Sequence, residues 1–188
     1  MIRRIIDIIN AFLVYPILFK EFGWRSKIKN PMKIDGYKRI SIGQNTIIGY
    51  NSWLASMPLT GADSILKIGN NCRLGNINHI YSTRSIIIED NVLTADKVYI
   101  SDNLHTYDDP NIPILNQPIK QCKDIVIKEG SWIGENVCII GASVGKNSVV
   151  GANSVVTHDI PDYSIAVGSP ARVIKKYNFE TCKWEKTE

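Results

Sequence analysis

Three histidines, His79, His105 and His158, are the side chains of this 188-residue chain whose charge changes closest to neutral pH. An imidazole can take the proton of a hydroxyl while that hydroxyl attacks a carbonyl, which is what a poor nucleophile such as a sugar alcohol requires. His105 ends the run Ser101-Asp-Asn-Leu-His105 and opens a stretch punctuated by Pro110, Pro113 and Pro118 that reads as a long loop. Asp102, Asp108 and Asp109 are near enough along the chain to orient the ring, and the spacing singles out none of them. A metal would need several ligands together. No second histidine stands near His105, and Cys72, Cys122, Cys138 and Cys182 form neither a Cys-x-x-Cys pair nor a Cys/His cluster. The sequence therefore predicts no metal site and reduced thiols of the kind found in a cytosolic protein.

The elements that must position these residues are written as a repeat. After Lys38 an anchor residue, aliphatic everywhere except Thr94, recurs at every sixth position. The triplets are Ile42, Ile48 and Leu54; Ile68, Leu74 and Ile80; Ile88, Thr94 and Ile100; Ile127, Ile133 and Ile139; and Val144, Val150 and Val156. Many anchors are followed by glycine, as in Ile42-Gly43, Ile133-Gly134 and Val150-Gly151. A helix would drift off such a period, and an ordinary hairpin sheet has no reason to keep it. The period predicts a solenoid of short strands over residues 40–177, each anchor pointing to the axis and each small residue allowing the bend. It is interrupted at 55–66, 81–87 and 101–124, where loops would leave the coil, and the step from Ile139 to Val144 is five residues. Residues 178–188 read as a C-terminal tail.

Hydrophobic residues make up 44% and charged residues 21%, which excludes a disordered chain. Residues 1–39 hold nine Lys/Arg against three Asp/Glu, a balance of +6. The net charge of +4 therefore leaves the remaining residues at −2, a poor match to nucleic acid. The start Met1-Ile-Arg-Arg resembles a signal peptide, but Asp7, Asn10 and Pro16 interrupt the apolar run and no small-residue cleavage site follows. At helical spacing Ile2, Ile5, Ile6, Ile9, Phe12 and Leu13 share one face, and Arg3, Asp7 and Asn10 another. The spacing predicts an amphipathic helix from Ile2 to about Phe19, followed by the basic residues Arg25, Lys27, Lys29 and Lys33. Its apolar face either caps the solenoid end or rests on the cytoplasmic face of a membrane.

The hexads, with Ser101-Asp-Asn-Leu-His105, Ser131-Trp-Ile-Gly-Glu135, Val150-Gly-Ala-Asn-Ser-Val-Val-Thr157 and Gly168-Ser-Pro-Ala-Arg172-Val-Ile-Lys175, resemble the hexapeptide-repeat acyltransferases. Within that family the resemblance is nearest to the galactoside, maltose and cell-surface polysaccharide O-acetyltransferases. It implies a mainly β fold, a left-handed parallel β-helix of about five coils with a protruding active-site loop, and a homotrimer with active sites between subunits. It implies acetyl-CoA as donor, no metal, and a cytoplasmic enzyme. His105 matches the catalytic base, and the backbone N–H of Glu135 the oxyanion donor. Trp132, Ala152, Thr157 and His158 match positions along the pantetheine arm, and Arg172 and Lys175 those near the nucleotide phosphates. The family commonly has Lys where His158 stands. On the acceptor side the family's acidic ligand falls on Thr83 and its asparagine on Gly75, or on Asn76 with one gap. The implied activity is acetyl transfer to a saccharide hydroxyl of a capsule, O-antigen or exopolysaccharide precursor or of a small sugar. The alternatives are N-acetylation of an amino-sugar nucleotide and a non-catalytic binding scaffold.

Overall fold

The computed structural model describes residues 2–187; the side chains of Ile2, Arg3, Arg4 and Ile8, and Met1 and Glu188 entirely, lie outside the description, so the faces of the N-terminal helix are read from Ile5 onward. The chain is a left-handed parallel β-helix with three flat faces. Face one stacks Glu21–Phe22, Ile40–Ile42, Ile65–Ile68, Ser85–Ile88 and Ile125–Ile127 in parallel, and single bridges at Val144 and Ile160 continue it. Face two runs from Lys27–Ile28 to Ser164–Gly168, and face three from Lys33–Asp35 to Val155–Val156.

In each strand the anchor points inward and its neighbours point outward. The anchors Ile48, Leu54, Ile68, Ile100, Ile133 and Val150 have no exposed surface, and stacked coil on coil they form aliphatic columns. Thr94 fits its column because its hydroxyl accepts from Asn78 Nδ2 at 2.8 Å, so the one polar anchor is satisfied. Corners are made by residues that tolerate a left-handed backbone, among them Asn45, Asn71, Asn91, Asn136 and Asn153. At Gly134 the coils approach so closely that a Cβ would lie 2.7 Å from the backbone nitrogen of Ala152. The five-residue step after Ile139 is a corner tightened at Gly141, whose φ is +56°.

Three boundaries differ from the sequence reading. The coil stack begins near residue 20, not 40: Phe22, Ile28 and Ile34 form a further triplet, paired in parallel with the strands at Ile42, Ile48 and Leu54. The basic residues read as following the helix belong to that coil, because Lys27 and Lys33 occupy outward positions beside inward anchors. The eight-residue step from Ile34 to Ile42, spent on a short 3-10 turn at Tyr37–Arg39, hid the period. Six complete coils therefore precede a partial seventh. The interruption at 81–87 is no loop, since only Thr83 and Arg84 separate two strands. The C-terminal tail is a strand at Lys183–Lys186, antiparallel to Ala171–Asn178, which itself covers the edge at Ser164–Gly168.

The N-terminal helix docks through an unexpected face. Asp7, Ala11, Tyr15 and Phe19 are buried at four-residue intervals, with Tyr15 4% and Phe19 2% exposed, and the two rings pack edge-on at 5.3 Å over the first coil. Asp7 Oδ1 accepts the Asn30 N–H at 3.1 Å, which is why a carboxylate belongs on the docking face. The aliphatic stripe of Ile5, Ile6, Ile9 and Leu13, continued by Ile17, stays exposed, with Leu13 at 66% and Ile17 at 72%. Among the described residues no helix is long and apolar enough to cross a membrane.

Candidate active site

The interruption at 101–124 is a two-stranded hairpin, Asn103–His105 against Ile119–Gln121, that leaves the corner after face three. His105 pairs with Ile119, and its exposed ring bonds no protein group among the described residues. It borders a cleft of about 340 Å³ lined by Trp53, His79, Tyr81, Tyr99, Asn103, Leu104, His105 and Ile119.

The root of the hairpin is fixed by Asp102, which is wholly buried. Its carboxylate accepts the backbone N–H groups of Thr83, Arg84 and Ser85, each at 2.8 Å, the Thr83 hydroxyl at 3.0 Å and Asn103 Nδ2 at 3.1 Å. Burial by itself would raise the pKa of this carboxyl, but the bonds from Thr83, Arg84, Asn103 and Ser85 outweigh it and hold the group below the usual range. On the returning strand Gln121 Nε2 donates to the Asp102 carbonyl at 2.7 Å, and so does the Cys122 N–H at 2.8 Å. Asp102 thus sets where the hairpin leaves the coil and has no bond to the imidazole. Asp109 Oδ1 accepts from Asn111, and among the described residues neither Asp109 nor Asp102 bonds the imidazole.

The structure treats the two acceptor candidates differently, and the Thr83 assignment is corrected. Thr83 is fully buried with its hydroxyl bonded to Asp102 and to Gln121 Oε1 at 3.0 Å, so no ligand can reach it. Asn76 belongs to the corner between faces two and three, the corner of Glu135, and its amide bridges Tyr50 N–H (2.9 Å) and Asp96 Oδ2 (3.0 Å). The residues that do line the cleft were missed. Trp53, His79 and Tyr99 each precede the third anchor of three consecutive triplets, Leu54, Ile80 and Ile100, so the repeat held the signal that aromatic rings stack outward at one register position. Burial lowers the pKa of His79, and its Nε2, enclosed by the neighbouring rings, has no protein partner among the described residues.

At the corner between faces two and three a ladder of side chains caps backbone donors on successive coils. Tyr50 N–H donates to Asn76 Oδ1, and Asn76 N–H donates to Asp96 Oδ1 at 2.7 Å. It then stops: the Glu135 carboxylate turns to Lys97 Nζ at 3.2 Å, and the next residue in line, Ala152, carries no acceptor. Glu135 N–H is left without a protein acceptor among the described residues. Glu135 and His105 stand at different corners of one chain.

The remaining donor-side residues fall in three places. Trp132 is half-exposed on face two, in an outward row with Leu93, Val149, Ile165 and Lys175. Arg172 is opposite Val167 and Lys175 opposite Ile165; the bulge at Ile174 lets residues three apart share the outer surface. Strand spacing puts Trp132 and Lys175 about 14 Å apart on that row. Ala152 shares the corner of Glu135, while Thr157 and His158 lie exposed at the corner after face three, Oγ1 3.0 Å from Nδ1. No three His, Cys, Asp or Glu side chains converge for a metal among the described residues.

A family model described as the hexapeptide repeat of succinyl-transferase matches residues 125–158. The chain is 34% identical to the putative lipopolysaccharide biosynthesis O-acetyl transferase WbbJ of Escherichia coli K12, over 85% of this chain and 83% of that protein. It superposes on the hexapeptide-repeat acetyltransferase VCA0836 of Vibrio cholerae in complex with acetyl-CoA with a TM-score of 0.63 and 26% identity, covering 94% of this chain and 81% of that one. The polySia-specific acetyltransferase NeuO gives a TM-score of 0.63 at 26% identity, covering 87% and 72%. With its repeated coils, its extruded hairpin and this relationship along most of its length, the chain belongs to the hexapeptide-repeat acetyltransferases.

Proposed function

We propose that this protein transfers the acetyl group of acetyl-CoA directly to a hydroxyl of a saccharide. The observation that carries the reading is the exposed imidazole of His105 at the mouth of an aromatic-walled cleft, on a hairpin rooted by a buried carboxylate. In the ternary complex the hydroxyl oxygen attacks the thioester carbonyl while His105 takes its proton. The oxyanion accepts the open N–H of Glu135, and its collapse expels the CoA sulfur, which regains the proton from the imidazolium. Trp132, Ala152, Thr157 and His158 would lie along the donor, with Arg172 and Lys175 toward its phosphates. Saccharide acceptors agree with the names of WbbJ and NeuO.

Because Glu135 and His105 occupy different corners, we assign the complete site to the boundary between two copies in a homotrimer. Light scattering should give three times the chain mass of 21.1 kDa; a monomer with full activity would overturn this assignment. We place the enzyme at the cytoplasmic face of a membrane, where the aliphatic stripe of the N-terminal helix meets anionic lipid. Phe12, Arg25 and Lys27 border one cleft and Phe12 packs on Trp24 at 5.3 Å, a basic and aromatic rim suited to lipid headgroups.

The direct test offers acetyl-CoA and a panel of mono- and oligosaccharides, follows CoA thiol release, and locates the acetyl group by mass spectrometry. Acetyl on oxygen supports the reading. Acetyl on nitrogen alone, or no transfer by protein that binds CoA, overturns it.

A further inference from the structure

The positive charge of the chain is concentrated on one coil. Residues 20–39, the first turn of the solenoid, hold seven Lys/Arg against two Asp/Glu, whereas residues 40–62, which make the next turn, hold no charged side chain. The cations stand on every side of the first coil: Arg25 at the corner after face one, Lys27 on face two, Lys29 at the next corner, Lys33 on face three and Lys38 at the last corner. Lys33 pairs with Asp35 and Arg39 with Asp63, and among the described residues Lys20, Arg25, Lys27, Lys29 and Lys38 make no ion pair. Such a belt does nothing for the packing of the coil, because like charges on one turn repel.

The N-terminal helix lies across the end that this belt surrounds. Asp7 takes the Asn30 N–H at the corner between faces two and three, and Phe12 packs on Trp24 at the corner between faces one and two. At the third corner Phe19 packs edge-on against Tyr37 at 5.0 Å, and Lys38 Nζ donates to the Ile17 carbonyl at 2.5 Å. Contact with all three corners sets the helix across the coil axis. The exposed stripe of Ile6, Ile9, Leu13 and Ile17, on the side away from the buried Ala11 and Tyr15, therefore faces outward along that axis. Trp24 and Met32 add exposed apolar surface at two corners of the same coil. An apolar plate inside a ring of cations matches the layering of an anionic bilayer, hydrocarbon beneath charged headgroups. It does not suit a second copy, since end-to-end pairing would set one belt of net +5 against another.

We propose that the protein docks on an anionic bilayer by this end, with the coil axis along the bilayer normal, and that its acceptor is a saccharide anchored to lipid of the same bilayer. The proposal rests on the saccharide and membrane readings above and adds the orientation and the class of acceptor. The orientation fixes the height of the site. Trp53 of the second coil, a wall of the His105 cleft, donates its Nε1–H to Asp35 of the first coil at 2.9 Å, so the cleft begins one strand spacing, about 4.8 Å, above the belt. Tyr99, the far wall, stands three spacings above Lys33, about 14 Å. A saccharide carried on a lipid headgroup meets the cleft at that height with its first few sugar units. Holding enzyme and acceptor on one surface also raises the effective concentration of the acceptor.

The full chain is floated with vesicles of phosphatidylcholine and phosphatidylserine beside two triple variants. Arg25→Gln with Lys27→Gln and Lys29→Gln should weaken flotation by at least about tenfold, since each cation near an anionic surface adds to binding, with an unchanged thermal shift on adding CoA. Lys176→Gln with Lys183→Gln and Lys186→Gln, which removes equal charge from the far end, should float as the unaltered chain does. Equal flotation by the first variant, or equal loss by the second, overturns docking through the N-terminal end. Phosphatidylcholine brominated in its acyl chains should quench Trp24, so quenching should disappear in Trp24→Phe, which keeps an aromatic ring at the corner. Quenching that persists there, from Trp53, Trp132 or Trp184, overturns the end-on orientation. Each saccharide of the panel above is then offered free and as its long-chain alkyl phosphate ester in the vesicles. The ester should be acetylated at least about tenfold faster at equal concentration, and the Arg25→Gln triple variant should lose that advantage. Equal rates on the two forms overturn the acceptor class. No transfer to either form by protein that floats removes the parent reading, and the acceptor class with it, and leaves the docking result standing.

Discussion

Asp102 accepts two hydrogen bonds from Thr83, one from its backbone N–H at 2.8 Å and one from its hydroxyl at 3.0 Å, and by this pair a carboxylate on one coil pins the corner of the coil before it. The same side chain takes the N–H groups of Arg84 and Ser85, so its removal would orphan three backbone donors, that of Thr83 buried and the other two part-buried. Asp102→Ala should destabilise the protein by at least about 3 kcal/mol, read as a lower Tm, because unsatisfied buried donors cost about 1–3 kcal/mol each. It should also lower kcat, since the hairpin carrying His105 would lose its fixed exit.

The sign of the pH effect follows from the depressed pKa of Asp102. A carboxyl held below its unfolded value contributes stability above the unfolded pKa, near 3.9 for Asp, and that contribution disappears as pH falls through the folded value. Denaturant titrations from pH 7 into the acid range should show a loss of stability that Asp102→Asn lacks at the same positions of the curve. Parallel curves for the two proteins would contradict the assignment.

His105→Ala should reduce turnover by about 10²–10⁴-fold, the usual worth of a general base. CoA should still raise the melting temperature of the variant, because ligand stabilisation depends on binding alone. Steady-state rates and thermal shift on the same preparation separate the two effects.

The open Glu135 N–H gives a test that does not touch an ionisable group. Glu135→Ala should be mild, as only the backbone is used. Ala152→Asn would extend the capping ladder by one coil, repeating the Asn76 arrangement in which Oδ1 takes the preceding N–H at 2.9 Å. A filled donor cannot meet the oxyanion, so kcat should fall by about 10²-fold while Tm holds or rises.

How much of this was legible in the sequence depends on where the period is clean. From Ile42 to Val156 each anchor predicted its own burial, because one inward position per hexad leaves no other place for an aliphatic side chain. Ile28 obeys the same rule, and Phe22 and Ile34 are half-buried in the same register, but all three were hidden by the eight-residue step around Tyr37–Arg39 and by the lysines between them. In the helix, Asp7 looked solvent-facing until Asn30 supplied a partner from another element, which no helical periodicity can reveal. The site divided similarly. His105 and Glu135 were named from motifs, and their places on the hairpin and at the capped corner came only with the structure, whereas Thr83 was misassigned because its burial under Asp102 and Gln121 is a property of three segments meeting.

The two faces of the N-terminal helix should separate in mutagenesis. Tyr15 packs between Phe19 and Phe22, at 5.3 and 5.2 Å, so Tyr15→Ala opens a cavity under the first coil and should lower stability by about 3–5 kcal/mol. Leu13 and Ile17 make no such contribution, and Leu13→Asp with Ile17→Asp should leave Tm within a degree or two of the unaltered protein. If the stripe meets lipid, that pair should abolish co-flotation with vesicles containing phosphatidylserine, since it removes apolar burial and adds charge repelled by the anionic surface. Flotation should weaken with added salt and be absent with purely zwitterionic vesicles. If the stripe is covered by another copy of the chain, the same pair should reduce the assembly size in light scattering and leave no lipid dependence to lose.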